Sequence, residues 1–376
     1  MKILFLFLLS SCSFFIESIE KTPKINLSKK VKKPLYCINE KISLYTENSH
    51  SKTIFKEILE KYQSKSFIEK SLLWTTFQFY YTPESFSPNS RLQILLKING
   101  SIEYYDFSKT SYPALSGLNY LTQLYTKNNL SSMLNLIEKE LPKRIPVNSK
   151  FADLLSRNKS KNFDKVFYKA EETLKEGETF PKRSLSKSLN RLKSTKAYEK
   201  ASTVKNKGYI CSSDINSPII YPNNIHNQVI GLSDDRDNFF IASASLDSKN
   251  IKISDGGYII HGDPGKQSTL CYKNEDDKTT AIVSFKERSP QQILLNLIES
   301  LPDDYGPLEI DKTLRQPRKM VLPLPNRVIV EEKISSKIPQ FHTTSLGRLL
   351  IYHKSSHSPF SGFINDPRSG IELECP

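Results

Sequence analysis

The chain reads as mixed α+β, with two domains that each combine an antiparallel sheet with packed helices. Three observations predict this. Asn99-Gly100 separates two β-rich runs, residues 92–98 and 102–107, and Asn-Gly is the strongest short hairpin signal. Apolar residues recur at helical spacing in Ile54, Ile58, Leu59 and Tyr62, and again in Ile293, Leu294, Leu297, Ile298 and Leu301. Beyond Cys211, short β-branched and aromatic runs alternate with turn residues, the pattern of a meander.

In chain order, residues 1–11 form a leader: Lys2, an apolar run from Ile3 to Leu9, then Ser10-Ser11. That is the layout of a signal peptide. Even 3–16 is shorter than the roughly 20 residues a spanning helix needs. Residues 12–34 are lysine-rich, carry Pro23 and Pro34, and suit a tether. The first domain covers 35–156. Residues 157–207 form a basic stretch, in which Phe163, Val166, Phe167 and Ala170 suggest an amphipathic helix before a solvated linker.

The second domain covers 208–376, with strands expected at 239–242, 251–253, 258–260 and 279–285. Its helix is announced by Ser289 as cap, Pro290 at the first position and Gln292 at the capping-box position. The last fifty residues, with 348–352 and 370–373, read as strands closing the sheet. Leu134-Asn135-Leu136-Ile137-Glu138 with Leu141-Pro142 recurs as Leu295-Asn296-Leu297-Ile298-Glu299 with Leu301-Pro302, Asn128 standing where Ser289 caps. The repeat hints at duplication of one ancestral unit.

With 38% hydrophobic and 25% charged residues in 376, the chain can bury substantial cores, which excludes a wholly disordered protein. The net charge of +14 is concentrated: Arg157 to Lys207 holds fifteen Lys/Arg against six Asp/Glu. Such a stretch could attract anionic lipid, wall polymer or nucleic acid. Nucleic acid is the poorest fit, because few aromatics are interleaved and the leader directs the chain out of the cytoplasm. Cys37, Cys211, Cys271 and Cys375 form an even set, suited to two disulfides in an exported protein. Their scatter lacks the C-x₂₋₄-C spacing of structural zinc.

Leu9-Ser10-Ser11-Cys12 resembles the lipobox of bacterial lipoproteins. The resemblance covers these four residues and the apolar run before them. It implies a diacylated Cys12 as the mature N-terminus, and several acyl chains anchor firmly where one would not. Ser13 after that cysteine favours the outer membrane or the cell surface over inner-membrane retention.

Catalytic motifs are sparse. The chain has no G-x-S-x-G elbow and no H-E-x-x-H helix. His261 to Gln267 imitates a phosphate loop, but Ile260 and Gln267 stand where glycine and Ser/Thr are needed, so Asp263-Pro264-Gly265 reads as a turn. His353 and His357 are four apart with His342 nearby, yet Lys354-Ser355-Ser356 and Pro359 suggest a loop rather than a metal-binding helix face. Asp234-Asp235-Arg236-Asp237 lacks the alternation of a calcium loop and reads as a solvated turn. Ser184 and Lys187 match Ser-x-x-Lys within a Ser/Lys-rich linker where chance suffices. No catalytic, metal or cofactor residue is therefore assigned. The expectation is a membrane-anchored envelope lipoprotein that binds an envelope protein or an anionic polymer. The alternative is an exported hydrolase of cell-wall or polysaccharide material, its acidic and histidine groups gathered from distant positions.

Overall fold

The computed structural model describes residues 35–37, 41–108, 112–158, 165–169, 171–182, 184–186, 201–217, 219–221, 225–254, 259–264, 268–286, 288–323, 326–332, 338–343 and 345–369. The leader, Cys12, the tether, Lys187, Cys375 and residues 370–373 lie outside this set. The mixed α+β class is what the structure shows, with seven helices and several antiparallel sheets among the described residues.

Strand β1 (Ile42–Tyr45) leads into helix α1 (Ser49–Lys61), started by Asn48, whose side chain accepts from the Ser51 amide. Helix α2 (Phe67–Tyr81) begins with a complete capping box of Ser66 and Glu69. It is buried on every side, from Leu72 and Trp74 to Phe77 and Tyr80, as expected of a helix that is apolar all round. Strands β2 (Arg91–Ile98) and β3 (Ser101–Phe107) form the expected hairpin, with Asn99 and Gly100 at φ 50° and 82°, the left-handed pair a type I′ turn requires. Helices α3 (Pro113–Tyr125), α4 (Leu130–Glu140) and α5 (Ser149–Arg157) follow, with β4 (Arg144–Pro146) between the last two. Asn129, not Asn128, caps α4; Asn128 turns its amide to Glu69 instead.

Of the helix expected around 163–170, Phe163 and Ala170 lie outside the described residues, and residues 165–169 are not α-helical. Residues 165–167 make one 3₁₀ turn, then come β5 (Tyr168–Lys169), β6 (Glu172–Thr173) and β7 (Thr179–Pro181). Phe167 is drawn into a cluster with Phe151 and Phe180, and that burial outweighs the weak helical period.

Then come β8 (Val204–Asn206), β9 (Tyr209–Cys211), β10 (Ile225–Asp234), β11 (Phe239–Ser254), β12 (Ile259–Pro264), β13 (Ser268–Asn274) and β14 (Lys278–Phe285). Helices α6 (Pro290–Ser300) and α7 (Pro307–Leu314) precede a small sheet of β15 (Lys319–Pro323), β16 (Asn326–Val330) and β17 (Gln340–His342). Strands β18 (Arg348–Ser355) and β19 (Ser361–Asn365) are the last strands among the described residues. The capping box expected at α6 does not close. The Ser289 hydroxyl accepts no backbone amide, only the Gln292 side chain at 3.2 Å, and Gln292 also bonds both polar groups of Val321 on β15.

Two six-stranded antiparallel sheets carry the architecture, one ordered β1-β10-β11-β2-β3 with β12 beside β11, the other β19-β18-β14-β13-β9-β8. Their inner faces meet through Leu95, Val229, Ile241, Val283, Leu350 and Phe363. One residue along, Ile94, Leu96, Ile230 and Leu232 face the helices α1 to α5. Ile282, Leu349 and Ile351 likewise face α6 and α7. The layers therefore run helix, sheet, sheet, helix. A strand covered on both faces does not alternate polar with apolar, which is why 94–96 and 281–283 read as short continuous apolar runs. The similar helices α4 and α6 lie over opposite outer faces. Strands from 35–156 and 208–376 share the first sheet, since β10 and β11 lie between β1 and β2.

Where the sheets approach, Gly231 on β10 sits under the Phe363 ring. A Cβ there would come within 2.6 Å of the ring. Gly231→Ala should cost about 1–3 kcal/mol by overpacking, measurable as a lowered urea midpoint. An unchanged midpoint would mean the two sheets separate readily.

Candidate functional site

A pocket of about 430 Å³ opens beyond the end of β1, where the starts of α1 and α5 and the end of α2 converge. At its wall stands Glu84, fully buried on the connection after α2. One carboxylate oxygen accepts from Asn148 Nδ2 at 3.2 Å, while the other has no hydrogen-bond partner. Asn148 does three things at once. Its Oδ1 accepts from the Phe151 amide and caps α5, and its Nδ2 also donates to the Tyr81 carbonyl at 2.8 Å. Burial pushes the Glu84 carboxyl up to about 7, against the pull of Lys150 and the two hydrogen bonds it receives.

Lys150, in the first turn of α5, keeps 36% of its side-chain surface and faces the same space. Burial, then the charge of Arg348, draws its ammonium below the usual lysine range, with Glu84 acting the other way. Its ion-pair partner is Glu47, 2.9 Å away. Glu47 is nearly buried and also pairs with Lys286 and Arg348 from the second sheet, so one carboxylate joins three cations. Glu84 and Lys150 form no such pair. They influence each other through the intervening space.

Tyr81, the last residue of α2, lines the pocket and stacks on Phe77, and its hydroxyl is buried without a partner. Gln228 on β10 lines it too, its side chain donating to Thr46. On the same strand His226 is held neutral, its pKa lowered to about 4 by burial and then by Lys150. The hydroxyls of Ser49, Thr82 and Ser149 also line the pocket, and none hydrogen-bonds His50, Glu84 or Lys150 among the described residues; Thr82 donates to Gln78.

No protein-family model matches the chain, and no curated protein sequence is similar to it. The fold is shared. Structures of two LmbA2991 variants match with TM-scores of 0.66 and 0.64, each 8% identical, over 90% of this chain and 98% of theirs. A cephalosporin acylase from Bacillus halodurans matches with a TM-score of 0.59 and 11% identity, over 93% of this chain and 98% of that one. At such identity the likeness is one of architecture.

The residues singled out from sequence do not meet at this pocket. His353 is buried on β18, its Nδ1 3.1 Å from Thr280 Oγ1, whereas His357 is exposed and pairs with Asp277 at 3.2 Å. His342 is exposed at the end of β17. His261 lies in β12, as do Asp263 and Pro264, so these two are strand rather than the expected turn, and Gly265 lies outside the described residues. Among the described residues no group of three or more potential ligands gathers to hold a metal. The turn after β10 is less solvated than expected, because Asp237 accepts from Lys97 at 2.6 Å and from Tyr352 at 3.0 Å, tying the two sheets together. Ser184 donates to Glu138. Cys211 and Cys271, register partners on β9 and β13, form a disulfide, and Cys37 is disulfide-bonded as well. No helix among the described residues is long and apolar enough to cross a membrane.

What sequence reading missed is Glu84, Lys150, Glu47 and Tyr81. The one available signal was the pair of Asn-Ser steps at 48–49 and 148–149, each an N-cap followed by helix.

Proposed function

We propose that the protein is an exported hydrolase, held at the cell envelope by a lipid on Cys12, that cleaves amide or ester bonds in wall material. The observation that carries this reading is Glu84: a buried carboxyl with one unpaired oxygen, its pKa raised to about 7, on a residue that lines an open pocket beside a lysine. Ionised Glu84 takes a proton from water as the water oxygen attacks the carbonyl carbon. Lys150 stabilises the negative oxygen that forms, and Glu84 returns the proton to the departing amine or alcohol. The architecture shared with an acylase agrees with this and adds no residue-level support.

The test is turnover of wall peptides and chromogenic anilides and esters by the mature protein. Glu84→Gln should lower the rate by about 10²-fold or more. Equal rates in both proteins would end the assignment of Glu84. Cys12→Ala should release the protein from membranes into the soluble fraction; retention in the membrane pellet would remove the anchor.

A second reading, an envelope protein that binds without turnover, is favoured by one observation. Among the described residues, none of the pocket's Ser49, Thr82 and Ser149 is hydrogen-bonded to a base. Saturable binding of wall fragments with no product over hours would select it.

A further inference from the structure

Three helices begin on an asparagine whose side-chain oxygen caps the first turn: Asn48 accepts from the Ser51 amide, Asn129 from that of Ser132 and Asn148 from that of Phe151. Capping asks only for this oxygen, and serine or aspartate would supply it equally well. At Asn48 and Asn129 the other end of the side chain, Nδ2, has no protein partner among the described residues. At Asn148 both Nδ2 hydrogens are engaged, one by the Tyr81 carbonyl at 2.8 Å and one by a Glu84 oxygen at 3.2 Å. The partners also settle which end is which, since an amide N–H meets one end and a carbonyl and a carboxyl meet the other.

An amide group is planar. With Oδ1 fixed by α5 and one N–H fixed by the end of α2, it cannot turn, and its second N–H is left aimed at Glu84. This is the one side-chain hydrogen bond that the Glu84 carboxyl receives among the described residues. The titratable side chains that line the same pocket are Glu47, His50, Tyr81, Lys150 and Glu176. Burial holds the Glu84 proton on; Lys150 opposes it, and the Asn148 hydrogen bond, which favours the ionised form, works in the same sense as Lys150.

We propose that Asn148 is a positioning residue for the proposed hydrolysis, its Nδ2 holding the Glu84 carboxyl in one orientation relative to α5, the helix that carries Lys150. The inference rests on Glu84 serving as the base.

The test uses the mature full-length protein with ¹³C-labelled glutamate carboxyls, the Glu84 signal being the one missing from Glu84→Gln, together with pH profiles of turnover on the chromogenic esters. Asn148→Asp keeps the cap, withdraws both donations and sets a second carboxylate beside Glu84. The upper titration step of that pair should lie about one unit or more above the native midpoint. Asn148→Ser keeps the cap but is too short to reach Glu84. There the midpoint should rise by less, kcat should fall about 10- to 100-fold and KM should change less than about twofold. In both variants the acid limb of the pH–rate profile should move up with the carboxyl midpoint. A residue that only caps α5 would move neither. Native midpoints and native acid limbs in both variants overturn the inference. So does a raised KM with unchanged kcat, which would make Asn148 a substrate contact instead. A native protein that turns over none of the probes defeats the hydrolase reading, while the carboxyl titration, read without substrate, still decides whether Asn148 holds Glu84.

Discussion

Glu84→Gln should make the protein more stable by about 3 kcal/mol above pH 7, even as it removes the proposed base. The sign follows from the raised pKa. In the unfolded chain the carboxyl ionises near its ordinary 4.5, in the folded protein only at about 7. Between those values folding is opposed increasingly as pH rises, and above 7 the full cost of ionising a buried acid is present. Some 2.5 pKa steps at about 1.4 kcal/mol each give the figure. Glutamine keeps an acceptor for Asn148 and carries no charge to desolvate. The stability gap between variant and native protein, followed by chemical denaturation at several pH values, should therefore close below pH 4.5. A gap that is constant with pH would show that Glu84 is not held back from ionising. A carboxyl maintained at such cost, with one oxygen unused, is the mark of a site under selection for something other than stability.

Glu47→Ala should have the opposite effect, a loss of about 3 kcal/mol. Glu47 is 4% exposed and is the common partner of Lys150, Lys286 and Arg348, whose side chains retain 36%, 17% and 19%. Deleting the carboxylate leaves three cations in mutual repulsion and strands the two that are best buried, the costly half of breaking an internal ion pair. Partial exposure of Lys150 moderates the figure. The midpoint of thermal unfolding reads it directly, and the loss should shrink in high salt. Unchanged melting would mean that the cations find solvent without their partner.

Much of the secondary structure was legible, and for local reasons. The β2–β3 turn depends on two adjacent residues, Asn99 and Gly100, that tolerate positive φ. Helix α6 follows from Pro290 and the spacing of Ile293, Leu294 and Leu297. The failures were also physical. Phe163, Val166, Phe167 and Ala170 matched a helical period, but Phe167 found Phe151 and Phe180 from other segments. Ser289 and Gln292 matched a capping box, but the β15 edge offered Gln292 a better pair of partners. The candidate site was invisible because its parts, Glu47, Glu84, Asn148, Lys150 and Gln228, converge only after folding. A buried glutamate with a perturbed pKa has no sequence signature; the conspicuous histidines went instead to a core position and to exposed ones.

The order of strands in the first sheet carries a consequence for how this chain acquires its shape. Strands β10 and β11 form a hairpin that enters between β1 and β2, elements completed more than a hundred residues earlier. Until that hairpin emerges, β1 and the β2–β3 hairpin have no common neighbour, and the apolar faces of α1 to α5 have only part of a floor to rest on. Such distant pairings make for slow folding and long exposure of sticky surface. Under the proposed export, with the chain crossing the membrane unfolded and segment by segment, its first half would wait on the far side for its central strands to arrive.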